Sequence, residues 1–274
     1  MRSARVSRNE WASMRPLAEW QPGRIKGLLF DIDDTLTTHG KLSAAAYAAM
    51  ERLKAAGRIV VPITGRPAGW CDQIARLWPV DAVVGENGAF YFWHDAAAAK
   101  LCRRYHDPEE ARSQKRARLA AIAQRILREV PGCAVASDQA YRETDLAIDY
   151  CEDVPPLPVA AAERIAALMR DAGLTAKISS IHVNGWFGGY DKLSMTRSLL
   201  AERFGIDLDA SQREFSFAGD SPNDAPMFAF FENSVGVANI ARFAAALPAQ
   251  PRYVTRDESG AGFVELIERL VGSR

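Results

Sequence analysis

A chain of 274 residues, 48% of them hydrophobic, is long enough for one large or two modest domains with a substantial core, which excludes global disorder. Its 34 basic and 34 acidic side chains cancel, so charge gives no reason to expect nucleic acid or a membrane surface as partner, and a small molecule is the expected ligand. Four widely spaced cysteines without a C-x-x-C pair (Cys71, Cys102, Cys133, Cys151) point to reduced thiols in a cytoplasmic protein, not to zinc or a disulfide framework.

No segment approaches the ~20 apolar residues of a membrane-spanning helix. Residues 1–23, an arginine-containing leader, lack the continuous apolar core of a secretory signal. A disordered tail and a docked helix around Trp11 and Trp20 both suit this stretch. Gly27-Leu28-Leu29-Phe30 then reads as a short buried strand ending in Asp31, Asp33 and Asp34. Acids there lie on a sheet rim, where open parallel sheets bind ligands. Apolar residues at helical spacing predict a helix over 42–56 closing at Gly57. A β-branched strand over 58–63 leads into Thr64-Gly65-Arg66, and Pro67 suits the start of a helix. A third strand, 81–84, precedes Glu86-Asn87-Gly88. This βαβαβ order predicts a parallel, doubly wound sheet.

From about residue 89 the alternation lapses. A hairpin (90–93 with 101–105), a basic amphipathic helix (108–130), short strands at 133–136, 145–150, 175–181 and 181–187, and a helix over 159–172 form an α+β insert of ~100 residues, large enough for a domain. The alternating pattern returns with a helix over 192–204 and a strand over 214–218 that delivers Gly219-Asp220-Ser221-Pro222-Asn223-Asp224. It continues with a helix over 225–231, a strand over 234–237, a helix over 241–247, a strand at 253–254 and a closing helix over 262–271. The expected organisation is a leader (1–23), an α/β core with a Rossmann-like doubly wound parallel sheet (24–88 and 188–274) and an inserted α+β domain (89–187).

Polar clusters thus follow several elements: Asp31 and Asp33; Thr64; Lys192; and Asp220, Asn223 and Asp224. A parallel sheet can bring them to one rim, where carboxylates from separate loops suit a hard divalent ion such as Mg²⁺. Singly, each has an ordinary reading. Acids after a strand cap helices, Thr64 suits the cap of the helix at Pro67, Lys192 suits a solvated surface, and Glu86-Asn87-Gly88 suits a turn. The ordered set carries the chemical argument. His39 and His94 read as surface residues, and the arginines of the basic helix as a solvated face.

The set resembles the haloacid dehalogenase superfamily, whose four motifs match Asp31-x-Asp33-x-Thr35, Thr64, Lys192 and Gly219-Asp220-x-x-Asn223-Asp224 in order. The large insert, Asn87-Gly88-Ala89 and Tyr253-Val254-Thr255 further resemble the Cof-type branch, subfamily IIB, which includes sucrose-, trehalose- and mannosylglycerate-type phosphatases. The resemblance implies a Mg²⁺-dependent phosphoric monoester hydrolase acting on a sugar phosphate or related metabolite through an aspartyl phosphate. Asp31 is then the nucleophile, Asp33 the proton carrier, and Thr64 and Lys192 the grip on the phosphoryl oxygens. Asp31, the Asp33 carbonyl, Asp220 and Asp224 or Asn223 would hold the metal. Asp34 stands where many relatives have glycine and is expected to face outward.

The insert would serve as a cap that selects substrate. His182, Asn184 and Trp186, on one face of a strand by alternation, are its candidate contacts beside Arg66 and Asn87, with residues 141–145 as a second candidate stretch. A phosphomutase of the phosphomannomutase type and a non-catalytic binding or regulatory protein are the rivals. A small phosphorylated metabolite is the expected partner, and the chain is expected to be a monomer or homodimer.

Overall fold

The computed structural model describes residues 14–179, 181–244 and 247–272. The chain divides into two compact units: Met1–Ile63, Trp78–Ala82 and Arg197–Arg274 form the first, Thr64–Leu77 and Val83–Thr196 the second. The first stretch of chain carries β1 (Arg15–Pro16), β2 (Gly27–Phe30), α1 (Ala44–Ala55) and β3 (Ile59–Pro62). Next come α2 (Ala68–Leu77), β4 (Val83–Gly85), β5 (Phe90–Asp95), β6 (Lys100–Tyr105), α3 (Glu109–Glu129), β7 (Ala134–Val135), β8 (Asp145–Asp149), α4 (Val159–Asp171), β9 (Thr175–Ile178) and β10 (His182–Trp186). The last stretch carries α5 (Lys192–Phe204), α6 (Leu208–Ser211), β11 (Phe215–Gly219), α7 (Ala225–Phe230), β12 (Ser234–Gly236), β13 (Tyr253–Val254) and α8 (Ser259–Val271).

The first unit is built on a six-stranded sheet in the order β1-β13-β12-β11-β2-β3, with every neighbouring pair parallel. Leu28, Leu29 and Phe30 are all fully buried, as expected of a strand covered on both faces. Leu28 and Phe30 pack with Ala46, Met50 and Leu53 of α1 and with Phe263, Leu266 and Ile267 of α8. Leu29 pairs across the ladder with Phe217, whose ring stacks on Phe231 and meets Phe228 edge-on. Each such side chain contributes about 1.5–3 kcal/mol on burial. This packing fixes the register Phe30 to Ala218, so Asp31 and the Gly219-Asp220 turn leave adjacent strands side by side.

In the second unit, β7-β8-β10-β9 form an antiparallel sheet. Leu146, Ile148 and Val183 on one face pack against Leu119 and Ile126 of α3 and Ile165 and Met169 of α4. By alternation the other face carries Asp145, Asp149, His182, Asn184 and Trp186, all buried. Arg118, Arg125 and Arg128 of α3 are exposed, as a solvated face requires, but Arg112 is buried between Glu109 and Glu143 and its guanidinium lies 3.5 Å from the centre of the Tyr105 ring. All four cysteines are free. No described helix is long and apolar enough to cross a membrane.

Three expectations change. The strand after α2 does not join the parallel sheet: β4 pairs antiparallel with β5, in the order β4-β5-β6. The turn that follows it, where Glu86, Asn87 and Gly88 all have positive φ (42°, 56° and 106°), reverses the chain and lays β5 antiparallel against it. Second, residues 14–20 are neither tail nor α-helix: β1 pairs with β13, a 3-10 turn follows (Leu17–Glu19), and Met14, Leu17 and Trp20 are buried. Trp11 lies outside the described residues. Third, the helix expected over 241–247 is a 3-10 stretch, Ala238–Phe243, and residues 245 and 246 lie outside the described residues.

Candidate active site

In the first unit, one carboxylate oxygen from each of Asp31, Asp220 and Asp224 lies within 4.8 Å of the others, and all three residues are buried. Asp31 directly follows β2, its N–H donating to Ala218 O at 2.9 Å. Asp220 is clamped from both sides: Thr35 Oγ1 donates to its Oδ1 at 3.2 Å and Asn239 Nδ2 to its Oδ2 at 3.1 Å. Asp224 folds back to accept from the Asp220 and Ser221 amides at 3.1 and 3.4 Å. Only glycine fits at 219, because a Cβ there would stand 2.5 Å from Asp224 Oδ2. Asp224 therefore belongs to the trio, whereas Asn223 is half-buried and its Oδ1 accepts from Ser221 Oγ at 2.5 Å. Asp33, also half-buried, is outside the three converging carboxylates.

Burial first, then the charges of Asp31, Asp224 and Asp34, push the Asp220 carboxyl well above the usual carboxylate range. Three hard oxygen donors this close together, with Asp220 resisting ionisation, are the donor set that a divalent cation satisfies. Asp34 does not simply face away: it is half-buried, and its charge reaches Asp220. Asn239, which sequence reasoning missed, also donates to Asp34 O at 3.0 Å and accepts from Ser259 N at 2.9 Å. The signal was available, since Asn239 is a polar residue just past β12, the parallel neighbour of β11.

In the second unit, Thr64 is fully buried; its carbonyl accepts from Asn87 N at 3.0 Å and its Oγ1 from Arg66 N at 3.0 Å. Lys192 is the first residue of α5 and is buried, behind an Asp191 cap that accepts from Ser194 N at 2.7 Å. A Cβ at Gly88 would stand 2.1 Å from Asp191 O, so the 86–88 turn packs directly on the peptide that carries Lys192. Asn87 is 3% exposed beside Gly65, and its Nδ2 has no hydrogen-bond partner. Such a donor costs about 1–3 kcal/mol when buried unsatisfied, which favours any ligand that accepts from it.

The remaining predicted contacts are bonded within the second unit. His182, Asn184 and Trp186 do share one face of β10, but none is open to solvent. His182 Nε2 lies 2.9 Å from Glu152 Oε2, Asn184 Nδ2 donates to Asp145 Oδ2 at 2.9 Å, and the Trp186 indole donates to Tyr190 O at 3.1 Å. Arg66 pairs with Glu152 at 2.9 Å and with Asp138 at 3.5 Å, under the Trp70 ring. His182, then Arg66, holds the Glu152 carboxyl down to about 2. Within residues 141–145, Arg142 is buried on Asp138 and Asp145. His39 and His94 are exposed.

Residues 28–116 match the haloacid dehalogenase-like hydrolase family. A phosphoglycolate phosphatase of Pyrobaculum neutrophilum is 30% identical over 249 residues, which make up 90% of this chain and 96% of the relative. Among solved structures, a HAD/COF-like hydrolase from Plasmodium vivax has a TM-score of 0.65 at 16% identity, covering 92% of this chain and 97% of its own. The sucrose-phosphatase of Synechocystis sp. PCC6803, in complex with sucrose and phosphate, has a TM-score of 0.60 at 15% identity, covering 89% and 97%. The structures share the fold, and the sequence relative spans nearly its whole length. The chain belongs to the haloacid dehalogenase-like hydrolases and is a phosphatase of that family.

Proposed function

We propose that this phosphatase hydrolyses a phosphate monoester of a sugar or related small metabolite, with Mg²⁺ as cofactor and an aspartyl phosphate on Asp31 as intermediate. The observation that carries the reading is the buried convergence of Asp31, Asp220 and Asp224 at the carboxyl ends of β2 and β11. The substrate class is supported by a relative named phosphoglycolate phosphatase and a fold neighbour that is a sucrose-phosphatase.

In the first displacement an Asp31 carboxylate oxygen bonds to phosphorus and the ester P–O bond breaks, while Asp33 gives its proton to the departing oxygen. In the second, Asp33 takes a proton from water, whose oxygen bonds to phosphorus, and the Asp31 acyl phosphate bond breaks to free inorganic phosphate. Thr64 and Lys192, joined by the unpartnered amide of Asn87, are assigned to the phosphoryl oxygens, where charge spreads in transfer. Asp31, the Asp33 carbonyl, Asp220 and Asp224 would hold Mg²⁺, with Asn223 in support. The cation supplies positive charge that keeps these carboxylates ionised and offsets the phosphate's own charge. Residues 89–187 are read as the cap that excludes water and selects the leaving group.

The test is phosphate release from a panel of sugar phosphates and 2-phosphoglycolate, with and without Mg²⁺. Wild type is expected to need Mg²⁺, and Asp31→Asn to lose activity on the order of a thousandfold or more. Undiminished activity in that variant would remove Asp31 as nucleophile. Mannose 1-phosphate is expected to yield free phosphate, and accumulation of a phosphorylated isomer would point to a mutase instead.

A further inference from the structure

Glu86 is fully buried in the second unit and stands outside the acidic cluster. Its Oε1 accepts from Ala68 N at 3.0 Å and Glu143 N at 2.9 Å. Its Oε2 accepts from Thr144 N at 2.7 Å, from Asp145 N at 3.3 Å and from the Thr144 hydroxyl. Ala68 opens α2 directly after the loop that holds Thr64, while residues 143–145 lead into β8. One carboxylate therefore binds these two segments together. Arg142 adds a second tie, donating to Gly65 O at 2.9 Å. The same backbone that carries Glu86 continues into Asn87 and Gly88, which pack on Gly65 and on the Asp191–Lys192 peptide.

Five donors converge on this carboxylate. An ionised carboxylate offers about four lone-pair sites and no proton, so it can receive them all with some sharing. A carboxylic acid must place an O–H among the same donors, and at least one of them then loses its acceptor. The bonding is that of the charged form.

The surroundings oppose that charge. Burial first, and Asp145 second, raise the Glu86 carboxyl to about 7, against the opposing pull of Arg142 and of the Thr144 and Glu143 bonds. The titratable groups that act on it are Arg142 and Asp145 from the 138–145 segment, Cys71 from α2, and Tyr190, while Asp138 pairs with Arg142 and the Glu143 carboxylate with Arg112. Glutamine would nearly match its shape without the charge, yet it would aim an N–H₂ at donors.

We propose that Glu86 is a positioning residue for phosphoryl transfer: its charged form holds the Thr64–Ala68 loop and the 86–88 turn in the arrangement that presents Thr64, Asn87 and Lys192, and its protonation sets an acidic limb in the activity profile. The proposal rests on the phosphatase reading and adds a residue and a pH dependence to it.

The experiment measures kcat and KM of the full chain between about pH 5 and 9. Wild type is expected to lose kcat on the acid side around the Glu86 value of about 7. Glu86→Gln lowers kcat by about 10–100-fold with a smaller change in KM, and its profile lacks that limb. Thr144→Val, which removes the hydroxyl that donates to Glu86 and also meets Tyr190, moves the limb to higher pH by roughly half a unit, because a bond to the charged form is gone. A limb at the same pH in all three proteins would overturn the proposal. Carbon-13 NMR of the Glu86 carboxyl, read beside amide exchange at Ala68 and Thr144, decides independently of turnover. Carboxyl titration that leaves those amides unchanged refutes the positioning role. Absence of phosphate release from every ester would refute the phosphatase reading while leaving this NMR result to stand on its own.

Discussion

Asp34 occupies a backbone position with a φ of +56°, inside the left-handed region that glycine adopts freely and β-branched residues resist. The resemblance to a family with glycine here made Asp34 stand out in the sequence, and the structure supplies the reason: the turn after β2 requires that conformation. Asp34→Gly is expected to hold stability within about 1 kcal/mol of wild type, since relief of the left-handed strain offsets the entropy of a more flexible unfolded chain. Asp34→Val is expected to lose roughly 1–2 kcal/mol. Urea midpoints of the three proteins check both. Asn223 and Asp224 could not be ranked from sequence because they share one turn. Burial and the close approach to Gly219 separate them, and neither can be read from residue type. His182, Asn184 and Trp186 were correctly placed on one face, but whether a polar face meets solvent depends on what folds over it, here Glu152 on His182 and Tyr190 on Trp186.

Helices and strands with a clear period or a short buried run were legible, α5 to the residue, because those signals are local. Docking of residues 14–20 was not, because its partners are distant in sequence. Trp20 is 1% exposed, tilts against Tyr253 with ring centres 5.8 Å apart, and donates its indole N–H to Asn233 Oδ1 at 3.1 Å. Arg269 of α8 reaches the carbonyls of Trp20 and Ala18 at 2.7 and 3.0 Å. Trp20→Ala is expected to cost about 3–5 kcal/mol, the range for truncating a buried tryptophan, measured by chemical denaturation. Trp20→Phe, which keeps most of the packing and loses the indole bond, should cost less. Loss of under 1 kcal/mol in Trp20→Ala would mean that this segment is not part of the cooperative core.

A net charge of zero conceals how charge is distributed. The second unit buries Arg66, Glu86, Asp138, Arg142, Asp145 and His182 together, a concentration that residue counts cannot reveal because it depends on which charges the fold encloses. Two carboxyls there give stability opposite pH dependences. Glu86 goes up from 4.5 to about 7, so the folded state holds its proton more tightly, and this contribution, full below about 4.5, is lost as pH rises through 7. Glu152 goes down from 4.5 to about 2, so its contribution is present above 4.5 and lost as pH falls toward 2. The melting temperature of wild type relative to Glu86→Gln is therefore expected to be higher at about pH 5 than above pH 7, and calorimetry at the two values checks the sign.

The parallel sheet of the first unit has a further consequence for how these molecules behave at high concentration. Its two outermost strands, β1 and β3, each contain a proline, Pro16 and Pro62. Proline has no N–H to offer a neighbouring strand, and β1 is two residues long. On β3, Val60 is already engaged by Asp81, which accepts from its amide at 2.8 Å and donates to its carbonyl at 2.9 Å. Both edges are thus poor templates for another chain, and the docked residues 14–20, besides filling the core, terminate the sheet against edge-to-edge aggregation.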